Sequence, residues 1–169
     1  MTETAREVHA ALNQMGIATD VLEHAPVFTM AECAENDKKL DALAPKNYFL
    51  TTKNRQHFHL CIVRPNARLR TSDISHQAGS SRLSFGSEEQ MAELLRVHPG
   101  AVSPMGLMFD ADKRVVLLAD AALRDEKRLA FHPCDNAATV AMSGRDFFDV
   151  FLPAVGHTLQ FVEIHDFLE

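Results

Sequence analysis

Several things are scarce in this 169-residue chain, and each scarcity removes a class of explanation. Positive charge is in deficit, with 17 Lys and Arg against 23 Asp and Glu and a formal net charge of −6. Proteins that coat nucleic acid by charge alone rely on clustered Lys and Arg, so a nucleic-acid partner here has to be gripped locally. Cysteine is limited to Cys33, Cys61 and Cys134, far apart and without a CxxC pair. That excludes a disulfide scaffold and predicts free thiols in a reducing compartment. No apolar run approaches the ~20 residues that a membrane helix needs, and the start Met1-Thr-Glu-Thr-Ala-Arg-Glu lacks the apolar core of a signal peptide. The expectation is a soluble, cytoplasmic protein with no membrane partner. Also missing are a Gly-x-Ser-x-Gly nucleophile elbow, a zinc-hydrolase motif, internal repeats and low-complexity segments.

What is present suits one compact domain over residues 1–169, because 46% hydrophobic content at this length supports a single core. Val8, Ala11, Leu12 and Met15 share a helical face over residues 3–15, with Gly16 as a stop. Thr19 to His24 reads as a short strand ended by Pro26, and Thr29 with Glu32 has the spacing of a capping box for a second helix through Met30, Cys33 and Ala34. Asn36 to Pro45 reads as a polar connection. Asn47 to Thr52 and His57 to Val63 form a hairpin, with His57 and His59 on an exposed face opposite Phe58, Leu60 and Ile62. Thr71 is expected to cap a short helix to Gln77, and Ser87-Glu-Glu-Gln90 is a capping box for a helix from Glu88 to Arg96. The loop Val97 to Gly106 then leads Met105, Leu107, Met108 and Phe109 into a strand, and Arg114 to Ala119 is a central strand. Ser143 starts a last helix with Phe147, Phe148, Phe151 and Leu152 inward, and Thr158 to Ile164 closes the chain as a strand. Many short strands with few helices and no regular βαβ units point to an α+β domain around a mixed, largely antiparallel, barrel-like sheet flanked by helices.

Three stretches carry the functional signal. Arg128 to Met142 is an apolar run interrupted by His132-Pro133-Cys134-Asp135-Asn136, where Pro133 ends one strand and Asp135 and Asn136 suit a turn. Pro45-Lys46-Asn47-Tyr48-Phe49-Leu50 puts a lysine and an amide at the mouth of an apolar strand. Pro99 to Gly106 is a loop with two glycines and two prolines. Together with Ala78-Gly-Ser-Ser-Arg-Leu-Ser-Phe85, the Gly100 to Pro104 loop and Phe131-His-Pro-Cys-Asp-Asn-Ala-Ala-Thr-Val140, these resemble in order and spacing the aminoacyl-tRNA editing domain. That domain occurs as an insertion in bacterial prolyl-tRNA synthetases and as free-standing deacylases of the YbaK and PrdX type. The match covers nearly the whole chain, and the free-standing PrdX type is the nearest in character.

The resemblance implies an enzyme that hydrolyses a mischarged aminoacyl-tRNA, Ala-tRNA(Pro) first among the substrates, with no metal or other cofactor. Its partners would be the aminoacylated tRNA acceptor end and prolyl-tRNA synthetase. Catalysis would rest on positioning and electrostatics, with backbone amides of the Gly100 to Gly106 loop as donors to the oxyanion, since preformed amides need no reorganisation when charge develops. Lys46 would bind the phosphate or ribose of the terminal adenosine or the carbonyl side of the ester. Asn47 would hold the same end, and His132 the substrate or its water. Phe28, Met30 and the loop residues Ser103, Pro104 and Gly106 would narrow the pocket around the amino acid, with Asp135 and Asn136 shaping the adjoining turn. Arg64, Arg68 and Arg70 are candidate phosphate contacts. Three other readings stay open on the sequence: a cysteinyl-tRNA deacylase, a module that binds an aminoacyl or nucleotide end without cleaving it, and a metal hydrolase using His57, His59 and His132.

Overall fold

The computed structural model describes residues 1–27 and 29–168, and for Met30 the backbone only. Among the described residues, Asp20–Glu23 (β1), Ala138–Ser143 (β7) and Arg128–Phe131 (β6) form a three-stranded antiparallel sheet in the order β1-β7-β6. A five-stranded sheet takes Leu83–Phe85 (β4), Lys46–Thr52 (β2), Phe58–Val63 (β3), Val115–Asp120 (β5) and Leu159–Val162 (β8) in the order β4-β2-β3-β5-β8. β2 pairs antiparallel with β3 and β4, whereas β5 runs parallel to both β3 and β8. The fold is therefore α+β with mixed sheets, and the two sheets do not close into a barrel. Leu43, just before β2, bridges to Leu129 of β6 and so ties one sheet to the other.

The hairpin forms where its turn chemistry directs it. Asn54 Oδ1 accepts from the Thr52 hydroxyl at 2.6 Å and from the Gln56 amide at 3.1 Å, while Arg55 takes φ 56° at the tip. β3 is buried on both faces. Phe58, Leu60 and Ile62 enter the main core beside Val8 and Leu12 of the first helix (α1, Glu3–Gln14) and Met91, Leu94 and Leu95 of the helix Glu88–Leu95 (α4). Cys61 and Val63 join a second cluster with Ile74 of the helix Thr71–Gln77 (α3). His59, on the face it shares with Cys61 and Val63, is only 8% exposed and not on a solvent face. Each large apolar side chain fully enclosed this way stabilises the fold by ~1.5–3 kcal/mol.

Local capping sets several boundaries. Ser87 and Gln90 form the expected reciprocal capping box at α4. Thr29 Oγ1 accepts from the Glu32 amide at the start of the helix Met30–Leu40 (α2). That helix runs on to Leu40, so the residues expected as the start of a polar connection are helical, and Asp41 ends the helix in the left-handed region with φ 49°. Thr71 is the first helical residue of α3 and not its cap, and Arg70 at the cap position makes no side-chain capping bond. Pro104–Phe109 is a 3-10 helix, where a strand was expected, because Ser103 Oγ accepts from the Met105 amide at 3.1 Å and starts a helical turn. The last helix is continuous in burial but changes winding: Gly144–Asp146 (α5), a π-helical turn Phe147–Phe151, then Leu152–Val155 (α6), closed by Gly156 at φ 72°. Phe147 packs on Phe131 at 4.7 Å between ring centroids, which anchors this helix to the end of β6.

Candidate active site

Pro133 and a tight turn end β6 and return the chain into β7. Cys134 sits at φ 62°, and Asp135 Oδ1 accepts from the Ala137 amide at 2.9 Å, which carries the backbone round. His132 is thereby held at the strand end, its Nδ1 2.8 Å from the Ala138 carbonyl. A carbonyl only accepts, so Nδ1 carries the proton in the neutral ring and Nε2 is left as a lone-pair acceptor. Burial holds the pKa of His132 below the ordinary imidazole value, with His24 and His98 acting the same way against the Ala138 bond and Asp135. The ring is neutral at pH 7.

His132 lines a cavity of about 640 Å³. One wall is α2 through Cys33, Ala34, Asn36 and Asp37, and a second is the start of β2, Pro45 to Tyr48. Pro99, Gly100 and Val102 supply a third, with Ala130, Phe131 and Thr139 added from the smaller sheet. Lys46, Asn47, Gly100 and His132, from three stretches far apart in the sequence, thus come together around one space. Lys46 Nζ donates to the Ala67 carbonyl at 3.0 Å. Its position also borders a second recess of about 370 Å³ that contains Arg68 and Arg70. Asn47 Nδ2 donates to the Pro45 carbonyl at 3.0 Å and braces the bend before β2.

Gly100 takes φ +89°, a conformation that L residues rarely adopt. Neither its amide nor that of Val102 has an acceptor among the described residues, and both residues line the cavity. Ala101 donates to the His98 carbonyl at 2.9 Å, Met105 to Ser103 Oγ, and Gly106 to the Ser103 carbonyl at 3.1 Å, while Ser103, whose amide is also without an acceptor among the described residues, lies outside the lining. The donors that the cavity lining offers to an oxyanion are therefore the amides of Gly100 and Val102 and not the whole loop.

Ser103, Pro104 and Gly106 stand outside the cavity lining. Ser103 is fully buried as the cap of the 3-10 helix, Pro104 is its first residue, and Gly106 lies against the Leu95 carbonyl, where a Cβ would collide with backbone. Asp135 and Asn136 also lie outside the lining and shape the turn. Burial pushes the Asp135 carboxyl up, but hydrogen bonds from the Ala137 and Thr2 amides and the charge of the N-terminus prevail and hold it below the ordinary carboxylate range. Asn136 accepts on its backbone carbonyl from the Val27 amide at 3.2 Å and so pins the segment entering α2. Phe28 lies outside the described residues, and Met30 is described only as the first residue of α2.

The basic stretch is mostly paired within the fold. Arg64 Nε meets the buried Asp120 at 2.7 Å and Arg70 meets Asp166, which leaves Arg68 without a carboxylate partner among the described residues. Cys61 and Cys134 are buried thiols pushed up to about 12, so neither is a nucleophile at neutral pH. All three cysteines are free. Among the described residues no three His, Cys, Asp or Glu side chains gather as metal ligands would, and no helix is long and apolar enough to cross a membrane. Sequence reasoning missed Asn36, Asp37, Tyr48 and Thr139 as cavity residues. The Thr139 hydroxyl lies 2.9 Å from His24 Nε2, and the strand pairing of β1 with β7 brings that contact together.

Comparison with known proteins agrees with this architecture. The family model described as the aminoacyl-tRNA editing domain matches residues 24–150. The chain is 33% identical over 160 residues to prolyl-tRNA synthetase associated domain-containing protein 1 of Mus musculus, covering 92% of this chain and 94% of that protein. It is 32% identical to the prolyl-tRNA editing protein ProX of Acetoanaerobium sticklandii, over 96% of this chain and 98% of that one. A solved structure described as a candidate trans-editing enzyme for prolyl-tRNA synthetase superposes with a TM-score of 0.73 at 17% identity, covering 98% and 99% of the two chains, which speaks for the fold. The chain belongs to the aminoacyl-tRNA editing domain family.

Proposed function

We propose that this protein is a trans-acting deacylase that removes alanine from mischarged tRNA(Pro). The observation that carries the reading is the convergence of Lys46, the unengaged amides of Gly100 and Val102, and neutral His132 on one cavity. A space of about 640 Å³ falls within the range that encloses a small-molecule ligand, and suits an aminoacyl group with part of its adenosine. Membership of the editing family and the likeness to ProX support the class of substrate.

In this mechanism a water held by His132 Nε2 attacks the ester carbonyl. Electrons move to the carbonyl oxygen, which the Gly100 and Val102 amides receive as hydrogen-bond donors. His132 Nε2 accepts a proton from the attacking water, and collapse of the tetrahedral species expels the terminal ribose oxygen, which takes that proton to give free alanine and an uncharged tRNA 3′ end. One donor of this kind is worth ~3 kcal/mol in the transition state. Lys46 binds the phosphate or ribose side and fixes the ester in register. A proline-sized synthetase site rejects alanine by only ~1–3 kcal/mol for each missing methylene, so a second, smaller site is needed downstream.

The test is a deacylation panel with alanyl-, cysteinyl- and prolyl-tRNA. Release of alanine with prolyl-tRNA left intact is expected. Preferential release of cysteine would reassign the substrate, and release from none of the three would reduce the protein to a binding module.

A further inference from the structure

We infer that Asp37 is the contact for the α-ammonium of the aminoacyl group, and that it restricts the enzyme to substrates whose amino group is free. This rests on the deacylase reading and adds a specificity determinant to it. Asp37 projects from the third turn of α2, in a stretch whose polar composition marks it as an ordinary surface segment, yet it lines the same cavity as Lys46 and His132. Among the described residues of that lining it is the only carboxylate. No hydrogen bond or ion pair reaches that carboxylate from another described residue.

A half-buried carboxylate without a partner is held in an unfavourable state, and a cation brought into the cavity would relieve it. Its raised pKa, about 6 through burial with His24 acting in the opposite sense, reflects that condition. An aminoacyl-tRNA end supplies the matching charges: an ammonium two bonds from the ester carbonyl carbon and a phosphate beyond the ribose. Among the described residues the lining holds one carboxylate, Asp37 on α2, and one lysine, Lys46 on β2, so an aminoacyl adenosine can meet both in one orientation. An ester whose amine is acylated, as at the end of a peptidyl-tRNA, brings no cation and leaves Asp37 desolvated further. The contact therefore selects against N-blocked esters by chemistry as well as by size.

The experiment compares alanyl-tRNA(Pro) with N-acetylalanyl-tRNA(Pro) as substrates of wild type, Asp37→Asn and Asp37→Glu. In parallel, calorimetry measures binding of 3′-alanylamino-3′-deoxyadenosine and its N-acetyl derivative, which are not hydrolysed. Wild type is expected to prefer the free amine about tenfold to a hundredfold in both kcat/KM and Kd, the range for a charge-assisted hydrogen bond. Asp37→Asn should lose that preference mainly through KM, with the N-acetyl substrate unaffected, and Asp37→Glu should recover part of it. Equal handling of both substrates by wild type overturns the inference and leaves the deacylase reading standing. A fall in kcat that is the same for both substrates in Asp37→Asn overturns it as well, and assigns the residue to proton transfer or to the fold. Preference for the free amine in binding without hydrolysis of either ester keeps the Asp37 contact and removes the deacylase reading.

Discussion

Replacing Asp37 by asparagine is expected to stabilise the protein at neutral pH, and the size of the gain follows from where the carboxylate sits. Burial in the cavity wall raises its pKa from 3.8 to about 6, with His24 pulling the other way. In the unfolded chain the same group titrates near ~3.9. Between those values the native state holds a proton that the unfolded state has released, so stability falls as pH rises through the window and the loss is complete above about 6. Linkage sets an upper limit of ~3 kcal/mol on that loss. Water reaches the half-buried carboxylate, and screening brings the figure to ~1 kcal/mol. For a chain of this length ~1 kcal/mol is ~2–4 °C in melting temperature. Scanning calorimetry between about pH 4 and pH 8 should find Asp37→Asn melting ~2–4 °C above wild type at the alkaline end, with the two curves meeting at the acid end. A variant that melts at or below wild type near pH 7.5, or whose gain is the same near pH 4, would refute the claim that folding strains this carboxylate. The same substitution that stabilises should weaken substrate binding, the exchange of stability for function expected where a charged group is retained in a cavity for its ligand.

Lys46→Ala removes one hydrogen bond to the Ala67 carbonyl, so the melting temperature should move by no more than ~4 °C, while single-turnover deacylation of alanyl-tRNA falls ~10- to 100-fold. Full activity with unchanged melting would take Lys46 out of the mechanism. His132→Ala should lower kcat ~100-fold. In the intact enzyme the rate should be level above about pH 6.5 and decline in acid, because the folded pKa lies below the ordinary value and protonation of Nε2 removes the acceptor. The unfolded chain protonates this histidine first, so stability too is lost as pH falls from the unfolded value toward the folded one. A rate that keeps rising through the acid range would exclude that role. Gly106→Ala sets a Cβ against the Leu95 carbonyl and should cost ~1–3 kcal/mol, read as a lower urea midpoint, with the turnover of folded molecules unchanged.

Legibility in the sequence divided along physical lines. Ser87 with Gln90, the Lys53 to Gln56 turn and the Pro133 to Asn136 turn depend on groups a few residues apart, and each formed as the local chemistry indicated. Asn36 to Leu40 misled because a helix wall with one wet side has the composition of a loop, and the bond from Thr29 commits the chain to helix several residues earlier. His59 misled because strand alternation tells which residues share a face but not whether that face is covered, and here the face it shares with Cys61 and Val63 is buried in the second hydrophobic cluster.

By itself the sequence determined groups that short-range geometry fixes: the caps at Thr29 and Ser87 and the turns at Lys53 to Gln56 and Pro133 to Asn136. Only the tertiary structure decided which of these groups face one another. The bridge from Leu43 to Leu129, which ties the start of β2 to β6, and the return of α2 over the start of β2 join residues separated by dozens of positions into one cavity. That choice belongs to packing, because a chain's local preferences act over a few residues, whereas the apolar faces that exclude water can be matched only when the whole domain is assembled.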